Sequence, residues 1–217
     1  GQKLWKRAKI AIPGGNMLLS KRPEMFLPDL WPTYFSKSKD CYVWDLDGKK
    51  YVDLATMSVG TNILGYSHNE VDNAVKKVLK LGNMSTLNCS EEVELAEKLL
   101  SLHPWFDVVK FARTGGEANA MAVRLSRAFT GKDKIAVCGY HGWHDWFLSA
   151  SKKNENAMKE KYLPFYSTIG VPKSLRNSIV NFDYNDFDSL EKLIIEDKGI
   201  GTIKMEVVRN IIPKNNF

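Results

Sequence analysis

Phe111-Ala112-Arg113-Thr114-Gly115-Gly116-Glu117-Ala118 is the stretch on which the reading of this chain turns. A short apolar run over 108–112 stops at two adjacent glycines, and an apolar-periodic stretch follows, so the segment reads as strand, tight turn and helix. The helix is expected over about 117–130, ended by Gly131, with Ala118, Met121, Ala122, Leu125 and Phe129 on its buried face. A second apolar run over 135–138 makes this a βαβ unit, which implies parallel strands and a right-handed crossover. Downstream the rhythm repeats: a strand over 179–182, a helix over about 186–196 and a strand over 202–207, after a less regular stretch over 152–177. The class is α/β with a mostly parallel sheet.

Working back from the glycines, Val93, Ala96, Leu99 and Leu100 recur at helical spacing, with Asn88 or Ser90 as cap, Glu91 and Glu92 in the first turn and Pro104 beyond the end. Val71, Ala74, Val75, Val78 and Leu79 mark another helix, capped by Ser67 or Asn69 and ended by Gly82. Cys41-Tyr42-Val43-Trp44 and Tyr51-Val52-Asp53-Leu54 flank an Asp47-Gly48 turn and read as a β-hairpin. Pro13, Pro23, Pro28 and Pro32 punctuate the first forty residues, which read as an irregular arm.

Composition narrows the function classes. With 217 residues, 44% of them hydrophobic, the chain has apolar material for a sizeable core. The net charge of +6 comes from basic residues interspersed with acidic ones, and no basic run is interleaved with aromatics, which argues against nucleic acid. Cys41, Cys89 and Cys138 are widely spaced and odd in number, so neither a disulfide framework nor a CxxC site is expected, and a cytoplasmic location is. No apolar stretch approaches the roughly 18–20 residues of a membrane span, and no membrane role is expected.

In open α/β sheets ligands gather at the carboxyl ends of strands, so the loops after Ala112, Cys138 and Val207 are the candidate sites. In the first, Gly115 and Gly116 let backbone approach a ligand, and the helix that starts there aims unpaired N–H groups and its positive dipole end outward. That arrangement suits a phosphate, with Thr114 able to add a hydroxyl and Arg113 a charge; a plain tight turn is the competing reading. Neither the dinucleotide GxGxxG nor the GxxxxGK[ST] nucleotide pattern occurs. The second loop, Gly139-Tyr140-His141-Gly142-Trp143-His144-Asp145-Trp146, offers rings to stack on a flat heterocycle and imidazoles to move protons, or else core anchors and a structural histidine. His141 and His144 with Asp145 are also metal-ligand candidates for a metal-dependent hydrolase, though their spacing is not a known zinc signature. At the third loop Glu206 ends an apolar strand, where a carboxylate must be paired structurally or face a site.

Phe111-Ala112-Arg113-Thr114-Gly115-Gly116-Glu117-Ala118, followed by Arg124-Leu125-Ser126-Arg127-Ala128-Phe129-Thr130-Gly131-Lys132-Asp133-Lys134-Ile135, resembles the class III aminotransferase block FxNSGTEA…RLARxxTGRxKI. Tyr140-His141-Gly142 matches its YHG motif. Pro13-Gly14-Gly15, 44–53 and 63–68 look like further family blocks, most similar to the glutamate-1-semialdehyde aminomutase branch. Arg113 stands where the pattern has asparagine, Gly116 where it has threonine, and Val207 where it has proline.

The resemblance implies a doubly wound PLP-dependent transferase-like fold, mostly parallel and incomplete here, with an amino-terminal α+β segment. Residues 1–67 would be the arm and hairpin of the small domain, and residues 68–217 the first half of the large cofactor-binding domain. It also implies pyridoxal 5'-phosphate as cofactor, a small-molecule amino or carbonyl substrate, and a homodimer with active sites at the interface. Carried over by position, Thr114, Gly115 and Gly116 would hold the phosphate, Tyr140 would stack on the pyridine ring, and His141 would line the pocket. Glu206 and Asn210 would complete the cofactor-binding set. The lysine that carries the cofactor is expected beyond Phe217, so no catalytic residue is assigned here and the chain alone is expected to be inactive. A non-catalytic module that binds a phosphate ligand is the alternative to an enzyme.

Overall fold

The computed structural model describes residues 1–54, 57, 60–82, 85–149, 169–208, 211–214 and 217. The chain divides into two compact units, Gly1–Glu92 and Val93–Phe217, so the boundary expected between residues 67 and 68 falls inside the first unit.

The first unit opens with helix α1 (Gln2–Ala11), which the proline-punctuated arm did not lead us to expect. All four of the prolines used in that reading follow Ala11, so the first turns are free of the breaker. Trp5 anchors the helix: its ring is buried and its Nε1 donates to Glu24 Oε1 at 3.1 Å. The expected hairpin forms from β2 (Tyr42–Asp45) and β3 (Lys50–Val52), antiparallel, and gains a third strand, β1 (Phe35–Lys39), on the far side of β2. Asp45 holds the tight turn together. Its buried carboxylate accepts from the N–H of Asp47 and of Lys49, both at 2.9 Å, and from the Tyr51 hydroxyl at 2.8 Å. Helix α2 (Asn69–Leu79) follows, with Ser67 just outside it at φ 52°. Helix α3 (Ser90–Leu102) contains the unit boundary.

The second unit is built on a parallel sheet. Helix α4 (Gly115–Thr130) ends at Gly131, which takes the left-handed conformation (φ 66°) and returns its N–H to Arg127 O at 2.9 Å. Strand β4 (Lys134–Cys138), the short helix α5 (Asp145–Leu148), β5 (Ile179–Asn181), helix α6 (Phe187–Glu196) and β6 (Ile200–Met205) follow. The strand order is β5-β4-β6, with β4 parallel to both neighbours. Alternation along β4 divides the core. Ile135 and Val137 pack with Val123, Trp146, Phe147 and Ile179 on the α4 and α5 side, while Ala136 and Cys138 pack with Phe182, Leu190 and Ile200 on the α6 side. A strand covered on both faces reads as an unbroken apolar run, which is why 135–138 was legible.

Two expectations are corrected. Residues 108–112 form no strand and join no sheet among the described residues, and Val108 is exposed. Strand composition alone does not pair a segment: the sheet is ordered β5-β4-β6, and 108–112 hydrogen-bonds to neither of its outer strands. The buried face of α4 is also not the expected one. Gly116, Asn119, Ala120 and Val123 turn inward at helical spacing, whereas Leu125 is 67% exposed and Phe129 93%. Helix α4 carries an apolar stripe on each side, and the less apolar one meets the sheet, with Val123 and the small Ala120 packed in the cluster of Ile135, Val137 and Ile179.

Candidate functional site

The start of α4 is a complete capping box. The Thr114 hydroxyl accepts from Glu117 N–H at 3.2 Å, and the Glu117 carboxylate accepts from the N–H of Arg113 at 2.9 Å and of Thr114 at 3.2 Å. The Ala118 N–H goes to Thr114 O. The N–H groups of Gly115 and Gly116 have no acceptor within the helix, and among the described residues none from elsewhere. Thr114 uses its oxygen as acceptor and keeps its O–H to donate. Two backbone donors, one hydroxyl and the positive end of a sixteen-residue helix thus converge on one spot.

The loop after β4 lies directly against this spot. Asn119, on the inward face of α4, donates from Nδ2 to His141 O at 3.0 Å. A Cβ on Gly142 would stand 3.4 Å from the Gly116 α-carbon, and a Cβ on Gly116 would stand 2.9 Å from Nε2 of His144. Both glycines are therefore where two backbones must approach closely. On the other side of the loop, the Glu206 carboxylate lies against Gly139, which is buried at φ 96°. Residues 113–117, 139–144 and 206 are thereby gathered at the carboxyl end of the parallel sheet, where α/β folds bind their ligands.

Within that gathering the side chains differ in access. Tyr140 is 41% exposed, and its ring stands edge-to-face with buried Phe147, centroids 5.8 Å apart. His141, expected to line the pocket, is instead 5% exposed. Its Nε2 lies 2.9 Å from Cys138 O, and its ring packs edge-on against Phe147. Burial, reinforced by the nearby Lys204 ammonium, holds its imidazole below the ordinary histidine range, against the opposing pull of Cys138 O and Glu206. It is a neutral support under the loop. Burial likewise lowers Lys204, with Glu206 opposing. Asn210 lies outside the described residues. No group of three or more His, Cys, Asp or Glu side chains placed to hold a metal occurs among the described residues, and the His141 ring is turned into the core.

Sequence reasoning missed the part played by three residues. His144 was read as a proton-moving, metal or structural candidate, and its approach to the helix start across Gly116 was not foreseen. Tyr184 and Asn185, after β5, steer the chain beyond β6: the Tyr184 hydroxyl donates to Val207 O at 2.8 Å, and Asn185 Nδ2 donates to Ile212 O at 3.0 Å. No motif marks them, since their partners are backbone carbonyls.

This set suits a phosphorylated flat ring: backbone and hydroxyl donors for the anion, a close cradle without side chains at Gly116, and an accessible aromatic on the adjoining loop. Comparison with known proteins agrees. The family aminotransferase class-III matches residues 29–203. A 3-aminobutyryl-CoA aminotransferase of Cloacimonas acidaminovorans is 34% identical over 90% of the chain and 43% of its own length. A glutamate-1-semialdehyde 2,1-aminomutase of Methanothrix thermoacetophila is 33% identical over 97% of the chain and 47% of its own length. Among solved structures, the PLP form of the FumI protein of Sphingopyxis sp. MTA144 superposes with a TM-score of 0.77 at 27% identity, over 93% of this chain and 45% of that one. The chain thus spans about half the length of the relatives it matches. It belongs to the class-III aminotransferases, enzymes that work with pyridoxal 5'-phosphate.

Proposed function

We propose that the whole protein is a pyridoxal-phosphate-dependent aminotransferase or aminomutase acting on a small amino or carbonyl substrate. The amino-terminal half described here supplies the phosphate grip and one wall of the ring site. The observation that carries this reading is the contact of the 139–144 loop with the unpaired amide end of α4 across Gly116 and Gly142. Pyridoxal phosphate, when bound, supplies the electron sink for amino-group chemistry. The chain's own residues do the rest of the work assigned here. Gly115, Gly116 and Thr114 donate to the phosphate, Tyr140 covers the ring, and buried His141 keeps the loop in register. Glu206 stands just after β6, Asn210 is assigned to the cofactor set by its place in the sequence alone, and the lysine that carries the cofactor belongs to the remainder of the protein. Residues 1–67 belong to the small domain and 68–217 to the large one, and the enzyme is a cytoplasmic homodimer. The exposed apolar stripe of α4, with Leu125 and Phe129, supports burial of that face by further protein.

The test is a titration of the chain with pyridoxal 5'-phosphate and, separately, with pyridoxal. Preference for the phosphorylated form is expected, and Tyr140→Ala should weaken both ligands about three- to tenfold, the range of an aromatic stacking contact, while Tyr140→Phe retains them. Equal affinity for the two ligands, or indifference to Tyr140→Ala, would sink the reading.

A further inference from the structure

His144 is held at the mouth of α4 by everything that follows it. Its carbonyl accepts from the N–H of Phe147 at 2.9 Å and of Leu148 at 3.1 Å, starting α5, whose Trp146 and Phe147 are buried in the core. The ring stands edge-on to Trp143, centroids 4.9 Å apart. Neither ring nitrogen has a hydrogen-bond partner among the described residues, and Nε2 points across Gly116, 2.9 Å from where a side chain there would begin. A Cβ that close displaces one group or the other, so the imidazole occupies this place only because residue 116 is glycine. The same absence leaves Gly116 with no side-chain donor to offer, although it heads a helix whose first amides are unpaired.

We infer that His144 is a phosphate-binding residue, its Nε2–H replacing the side-chain donor that Gly116 lacks, so that Gly116 and His144 act as one unit. This rests on the cofactor reading above and adds a residue to it. An N–H aimed at an anion beside a helix terminus makes a charge-assisted hydrogen bond, the stronger kind. The ring's position also closes the gap between the α4 start and the 139–144 loop.

The experiment is a double-mutant cycle on the chain, read as dissociation constants for pyridoxal 5'-phosphate and pyridoxal, with folding followed by near-ultraviolet circular dichroism. His144→Ala should weaken the phosphorylated ligand roughly tenfold or more, leave pyridoxal unchanged and thereby shrink the preference. Gly116→Ala should do likewise by pushing the ring aside, and the double variant should be no weaker than His144→Ala alone. His144→Gln, which keeps an N–H donor, should retain part of the preference and gives a second reading where the alanine variant folds poorly. An unchanged preference in His144→Ala, equal losses for both ligands, or additive effects would each overturn the inference while leaving the cofactor site standing. A wild-type chain with no preference would overturn both.

Discussion

The Glu206 carboxylate lies so close to the Gly139 α-carbon that a Cβ there would stand 2.8 Å from Oε2. Gly139 also sits at φ 96°, a backbone region L-residues rarely adopt. Gly139→Ala therefore meets two penalties, one of strain and one of contact, and should destabilise the chain by ~2–3 kcal/mol. Adding Glu206→Ala relieves the contact and not the strain, so the double variant should recover only part of the loss. Urea midpoints measure both. A Gly139→Ala midpoint at the wild-type value would show that the loop after β4 is not held as described.

The capping box separates stability from ligand binding. Thr114→Ala should cost about 1 kcal/mol, the usual worth of an N-cap hydroxyl, and should also weaken pyridoxal 5'-phosphate if, as proposed, the same O–H donates to its phosphate. Thr114→Ser should restore both. Glu117→Ala removes the acceptor for the Arg113 and Thr114 N–H groups and should lower the urea midpoint comparably, with little change in ligand affinity. Loss of binding in Glu117→Ala as large as in Thr114→Ala would mean that helix integrity alone governs the site.

How much of this was legible in the sequence depends on whether the signal was local. The Asp47-Gly48 turn and the stop at Gly131 are written in neighbouring residues, and each appears where it was expected, whereas Thr114 was read only as a hydroxyl donor and proves also to cap α4. The doubly covered strand β4 was equally plain, because burial on both faces leaves no alternation to misread. The non-local facts were hidden. Residues 108–112 have strand composition, but whether a run is laid beside a partner strand is a tertiary matter that composition does not encode. Nothing in Gly116 or in His144 taken singly announces that they meet, since the meeting depends on how the 139–144 loop returns to α4. His141 was placed in the pocket by resemblance, and its ring is buried against Phe147 and Cys138 O, contacts that the motif does not encode.

The orientation of α4 has a direct consequence for mutation. Val123 is 3% exposed and packs with Ile135 and Phe147, so Val123→Ala should cost about 2 kcal/mol through lost burial and a residual cavity. Phe129→Ser, on the open face, should shift stability by no more than about 0.5 kcal/mol. The same substitution should reduce self-association at high concentration, measured by light scattering, because it removes an exposed aromatic from an apolar stripe. Reversal of the two stability effects would restore the face expected from apolar periodicity alone.

His141 should make the chain acid-sensitive. Its imidazole is held below the ordinary histidine value by burial and by Lys204, so in the fold it is neutral where the unfolded chain already binds a proton. The unfolded state then carries more protons, and stability must fall as pH falls. The decline begins as pH drops through about 6.5, the unperturbed histidine value, and levels off once the pH lies below the depressed value of the folded state. The urea midpoint of the wild-type chain should therefore decrease between about pH 7.5 and pH 5.5. His141→Asn removes the titrating group and should flatten that slope, even though the variant is less stable throughout because it loses the edge contact with Phe147. Parallel slopes in the two proteins would mean that the acid response comes from other groups and that His141 is solvated, which would also remove it as the support beneath Tyr140.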